Sequence, residues 1–156
     1  MQPWDEGVLA ELCTLLPPEP AEMAWDYWGH NEAGLAFETA LDQLSEDHVP
    51  IGSALRRRVA ETAAYSERVQ SGLRFCPDPD ELRWRVVEGS DIPLPGADDI
   101  AWLACNRCPE VLFRFDSYAA TMGKVPYRCG VVREDGDVTV FTDAVTALDH
   151  LERCWS

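Results

Sequence analysis

The stretch "QSGLRFCPDPDELRWRVV", residues 70–87, is where the hydrophobic period of the chain changes. Its first part, residues 70–81, carries a glycine and two prolines with little periodicity, the composition of a boundary. The six residues after it, "LRWRVV", alternate apolar and basic side chains as a half-buried strand does. Upstream the apolar spacing is that of helices, and downstream it is that of short strands. The reading is therefore α+β: an N-terminal bundle of about four helices over residues 1–70, a linker at 71–81, and a small α+β region at 82–156. That last region is expected to hold a mostly antiparallel sheet and a C-terminal helix. Whether the two regions share one core is left open.

Working upstream, Val8, Leu9, Leu12, Leu15 and Leu16 recur at the spacing of one helix face, and Pro17, Pro18 and Pro20 end that helix and open the next segment. Residues 20–29 form a short second helix or turn, closed by Gly29. Asn31 is a candidate N-cap for a third helix with Leu35, Phe37, Ala40, Leu41 and Leu44 on one face and Glu38, Thr39, Asp42 and Glu46 on the other. Ser53 is read as the cap of a fourth helix, with Leu55, Val59 and Thr62 inward and Arg56, Arg57 and Arg58 on a solvated face. Downstream, residues 110–118 and 127–132 look like strands, and "EDG" at 134–136 signals the turn of a hairpin into residues 137–142. Asp143 then caps a terminal helix with Val145, Leu148, Leu151 and Trp155 on its packing face.

Charge narrows the function. Asp and Glu number 28 against 13 Lys and Arg, for a net charge of −15. A field of that sign repels nucleic acid and anionic lipid and speeds encounter with basic proteins. The imbalance is concentrated: residues 1–55 hold eleven acidic side chains and no Lys or Arg. No run approaches the ~18 apolar residues of a membrane span, and the first residues lack the basic and apolar regions of a secretory signal. A cytoplasmic location is expected. Six cysteines are too few and too irregular for a secreted disulfide framework.

Cys105-Asn-Arg-Cys108-Pro is the most specific short motif, since two thiols at that spacing suit tetrahedral zinc or dithiol chemistry. A structural zinc site takes four ligands, and Cys76, Cys129, Cys154 and the histidines are scattered in sequence. The expectation is accordingly no cofactor and no metal, with zinc on Cys105 and Cys108 as the alternative. His30, His48 and His150 have no catalytic spacing to a nucleophile, and no glycine-rich phosphate loop is present. The expectation is a protein that is not an enzyme. Trp25, Tyr27 and Trp28 suit either the helical core or a protein interface.

"LAELCTLLPPEPAEM" (9–23), "WGHNEAGLAFETALDQLSED" (28–47) and "HVPIGSALRRRVAETAA" (48–64) together resemble MafI-type immunity proteins of bacterial polymorphic toxin systems. The shared pattern is a helix ending in a leucine-leucine-proline step, an aromatic and acidic segment, a glycine-led "AFE" helix and a "VPI" turn. It covers about the first 65 residues, and residues 82–156 have no counterpart in it. The resemblance implies a non-enzymatic protein that binds and neutralises a cognate toxin domain, in the first instance a basic nuclease. It further implies Trp25 and Trp28 as anchors, with Asp26, Glu32, Glu38, Asp42, Glu46 and Asp47 supplying field and ion pairs. The alternatives are a zinc- or thiol-containing enzyme or regulator built on Cys105 and Cys108, and a general acidic protein-interaction module.

Overall fold

Asp5 starts the first helix by accepting hydrogen bonds from the backbone of Gly7 (2.8 Å) and Val8 (3.2 Å), two donors that a helix start otherwise leaves unpaired. In this computed structural model, which describes residues 4–89, 92–115, 122–123 and 128–156, the chain divides into two units, residues 1–81 and 82–156. The first is helical: α1 (Glu6–Thr14), α2 (Pro18–Gly29), α3 (Ala33–Glu46), α4 (Ser53–Thr62) and α5 (Glu67–Arg74). Pro17 and Pro18 separate α1 from α2, with Pro18 in the first turn, where the missing N–H costs nothing.

The core of this unit forms around α3, which packs against α1, α2 and α5 and buries Ala36, Phe37, Ala40, Leu41 and Leu44. Leu9 and Leu12 of α1, Ile51, Val59 of α4, and Val69 and Leu73 of α5 complete it, and the Trp4 ring lies 5.1 Å from that of Phe37. Several expected details differ. Asn31 is not an N-cap: it takes a left-handed φ of 62° in the tight α2–α3 connection, which Asn tolerates better than most residues. Leu35 is 43% exposed, because the inward stripe of α3 runs through its alanines instead. Ser53 is the first residue of α4 rather than its cap, and donates its hydroxyl to Asp78 Oδ2 at 2.7 Å.

Arg56 does not lie on a solvated face. Its guanidinium turns inward and donates to the carbonyls of Leu73 (2.7 Å), Ile51 (3.1 Å) and Cys76 (2.5 Å). One planar fork thereby satisfies three carbonyls at the end of α5 and on the turn before α4. Together with the Ile51 N–H to Pro77 O bond (2.9 Å), it holds residues 75–78 on the helical unit. The segment read as a linker, 71–81, therefore begins inside α5 and belongs structurally to the first unit.

The second unit is a five-stranded antiparallel sheet in the order β1 (Trp84–Val86), β2 (Ile100–Cys105), β3 (Val111–Arg114), β4 (Cys129–Val132) and β5 (Val138–Phe141), followed by helix α6 (Ala144–Leu151) and a 3-10 turn (Glu152–Trp155). The fold is α+β, with five strands where the sequence suggests about three or four. β2 is the strand not anticipated: "IAWLAC" is apolar throughout, and a bulge between Ala101 and Leu103 breaks its alternation. The expected strands at 110–118 and 127–132 are shorter, and their residues 116–118 and 127 lie outside the described residues. In the 82–87 stretch only Trp84 is buried, and Val86 is half exposed. The "EDG" hairpin is present as read, with Gly136 at φ 86° in the turn between β4 and β5.

Leu103, Leu112 and Val131 lie in register across the sheet and are fully buried. Ala101, Ala104, Val111, Phe113 and Val132 form the cluster on the opposite face. α6 packs over β3, β4 and β5 and buries Ala147, Leu148 and Leu151. Asp143 caps it by accepting from the Thr146 N–H (3.0 Å) and hydroxyl (2.6 Å), and those bonds hold its carboxyl below the usual range.

Two outcomes test this packing. A Cβ at Gly130 would sit 2.7 Å from the Phe113 ring, so Gly130→Ala is expected to lower stability by about 1–3 kcal/mol in urea unfolding. Adding Phe113→Leu should make the pair less damaging than the sum of the two changes. Arg56→Met keeps the stem but removes the donor fork, and should cost at least about 2 kcal/mol through unsatisfied carbonyls. Arg56→Lys should recover only part of it.

Candidate functional site

The residues expected to contact a partner all fall on α2, α3 and the turns that flank α3. Trp25 and Trp28 are half-buried and pack against the helical core, so much of each ring is committed inward. Asp26 is exposed and 3.6 Å from His30 Nδ1, and the same ring nitrogen lies 2.7 Å from the Asp26 carbonyl. That backbone contact, then the Asp26 charge, raises the His30 pKa. Glu32 is exposed at the start of α3. Asp47 accepts from the Gln43 side chain at 2.9 Å.

Glu38 and Asp42 are engaged by a cation of their own unit. Arg68 of α5 grips Asp42 through two nitrogens, with Nε to Oδ1 at 3.1 Å, and reaches Glu38 at 3.8 Å. Sequence spacing alone could not bring Arg68 there, because the contact crosses from α5 to α3. Glu46 and Asp42 instead form one wall of a groove between α2 and α3, with Glu19 on the other side and Pro20, Met23 and Thr39 lining it. The groove has a volume of about 410 Å³, and Met23 is 48% exposed within it. It offers an apolar contact edged by carboxylates.

In the second unit the structure assembles a constellation that the sequence reading left scattered. Cys105 ends β2 and Cys108 lies in the turn before β3, so the C-x-x-C pair occupies the tip of a β-hairpin. The Cys105 N–H bonds to Glu110 O at 3.0 Å and closes that hairpin. Asn106 fastens the turn to β1: its N–H donates to Arg83 O (2.9 Å) and its side-chain amide to Leu82 O (2.8 Å), while Arg85 donates to its Oδ1 (2.9 Å).

Cys154, from the 3-10 turn after α6, completes the cluster. Its sulfur lies 3.2 Å from that of Cys105 and 3.5 Å from that of Cys108, and all three sulfurs fall within 4.8 Å of one another. Cys76 and Cys129 are buried elsewhere. The turn that delivers Cys154 is held at both ends. Trp84 Nε1 donates to Glu152 at 3.1 Å, and Arg107 donates to Cys154 O at 3.1 Å with its guanidinium 4.2 Å above the Trp155 ring.

The cluster makes Cys105 the most readily ionised of its three thiols. Burial opposes ionisation there, but hydrogen bonds from the Arg107 N–H (3.4 Å) and from the neighbouring thiols bring its pKa below the ordinary thiol value. Burial pushes Cys108 up to about 12 and raises Cys154. Three sulfurs so placed can hold a soft metal ion or exchange a disulfide between them. A cavity of about 480 Å³ adjoins the cluster, lined among others by Arg85, Cys105, Cys108 and Glu110. Glu110 is 7% exposed; its Oε1 is bound by Arg153, while its buried Oε2 has no hydrogen-bond partner.

No protein-family model, no curated protein and no solved structure matches the chain. Among the described residues, no helix is long and apolar enough to cross a membrane.

The tether on Cys154 is testable by itself. Arg107→Ala removes a carbonyl hydrogen bond and a cation–π contact, together worth about 1–2 kcal/mol locally. Amide hydrogen exchange in residues 152–156 should then accelerate by roughly tenfold while α6 is unchanged.

Proposed function

We propose that this protein is a non-enzymatic inhibitor of the immunity type, which binds a basic protein partner through the acidic α2–α3 face and so neutralises a toxin domain. The observation that carries the reading is the α2–α3 groove, where an exposed methionine is edged by Glu19, Asp42 and Glu46 on a segment without Lys or Arg up to residue 55. Carboxylates around an apolar contact suit the two halves of fast, tight binding. Their field accelerates encounter with a cationic surface, and the apolar contact slows escape. A basic nuclease fits such a face, because its phosphate-binding surface is complementary to this one in charge. The chemistry required of the inhibitor is occlusion alone.

The geometry refines which acids carry the contact. Asp42 and Glu38 are partly neutralised by Arg68, whereas Glu19, Glu46, Asp26 and Glu32 are exposed. Trp25 and Trp28 give the partner their outer edges only, so Met23 and Leu35 take a larger share of the apolar contact.

The test is affinity capture from the native cells with tagged protein, followed by kinetics on the partner retained. A stoichiometric basic protein with a toxin domain supports the reading. In that complex Glu19→Lys with Glu46→Lys should slow association at least tenfold at low salt and flatten its salt dependence, with folding unchanged. Unaltered kinetics would remove the groove from the interface.

A further inference from the structure

We propose that Cys105, Cys108 and Cys154 bind one zinc ion, which joins the 3-10 turn after α6 to the tip of the β2–β3 hairpin. This site lies in the second unit and does not depend on the acidic face of the first.

The number and spacing of the sulfurs favour a metal over a disulfide. A disulfide uses two sulfurs about 2.05 Å apart, and it would leave the third thiol of this cluster crowded and unused. Here three converge within 4.8 Å of one another, with Cys154 at 3.2 Å from Cys105 and 3.5 Å from Cys108. With Zn–S bonds of about 2.3 Å, tetrahedral sulfurs stand about 3.8 Å apart, so the Cys105–Cys154 pair would open by about 0.6 Å and the Cys108–Cys154 pair by about 0.3 Å.

The backbone supports the same chemistry. The C-x-x-C tip closes through the Cys105 N–H to Glu110 O bond, and the Arg107 N–H points at the Cys105 sulfur from 3.4 Å. An N–H aimed at a thiolate is the outer partner a metal-bound sulfur takes. Three thiolates around Zn²⁺ leave one net negative charge. Arg107 and Arg85, which bond to the carbonyls of Cys154 and Cys105, stand ready to balance it.

The fourth position falls to solvent from the adjoining cavity. Among the described residues, no fourth His, Cys, Asp or Glu joins the three sulfurs within 4.8 Å. Glu110 lines that cavity together with Cys105 and Cys108, and carries a buried carboxylate oxygen with no hydrogen-bond partner.

The experiment uses the full chain purified under reducing conditions, with zinc content measured by mass spectrometry and then titration with zinc chloride or cobalt chloride alone. About one equivalent of zinc is expected. Cobalt should give the intense visible bands of a tetrahedral thiolate site, and zinc should raise the melting midpoint of the second unit reversibly with chelator. Cys105→Ser, Cys108→Ser and Cys154→Ser should each weaken binding by more than the ~10–100-fold that loss of an outer partner costs, while Cys13→Ser in the first unit should not. Because a cysteine variant can fail to fold, the wild-type cobalt spectrum and melting shift decide the matter without one. Reduced wild-type protein that takes up neither ion overturns the proposal. So does protein isolated with a Cys105–Cys154 or Cys108–Cys154 disulfide and no metal, which would make the cluster a redox pair.

Discussion

Each half of this chain is near the size, about 80 residues, at which apolar burial alone struggles to hold a fold. Both halves add to the core a polar or sulfur-bearing group that ties together segments distant in sequence. In the helical unit the group is Arg56, whose guanidinium gathers carbonyls from the end of α5 and from the approach to α4. In the sheet unit it is the meeting of the β2–β3 tip with the 3-10 turn, through Trp84, Glu152, Arg107 and the three cysteines.

The two halves also divide the labour of interaction. Most of the acidic excess lies in the helical unit, where α2 and α3 present carboxylates around an exposed methionine. That arrangement suits a surface that recognises another protein, and the proposed immunity role rests on it. The second unit has its polar chemistry gathered inward, around the cysteines and the buried Glu110. A zinc ion there would serve the integrity of the unit, leaving the helical face free to specialise.

Much of the architecture was legible in sequence because it is fixed locally. The proline break after α1, the Asp143 cap and the Gly136 hairpin are chemistry between near neighbours. What escaped was fixed at long range. β2 shows no alternation because Leu103, Ala104 and Cys105 are buried in succession and the strand is bulged, so its signal resembles any apolar run. Arg56 reads as one of three surface arginines until α5 brings carbonyls to it. Without β2 the C-x-x-C pair could not be placed on a hairpin tip. Without the packing of α6 on the sheet, Cys154 had no reason to approach it. The missing signal was the pairing of "IAWLAC" with the strand after Pro109, which would have placed the cysteines at a turn and prompted a search for a third.

Every strand of the sheet pairs with its sequence neighbour, from β1 through β5. Such a meander can assemble by successive hairpin closures, each of low contact order, so the sheet has a short route through its folding barrier. The docking of the 3-10 turn is the exception, since Cys154 to Cys105 spans 49 positions and Trp84 to Glu152 spans 68. It pays its loop-closure entropy only once β2, β3 and α6 are in place. The thiol cluster is therefore a late event in folding, a latch on a finished sheet rather than its nucleus. Its loss should show in the rate of unfolding more than in the rate of folding.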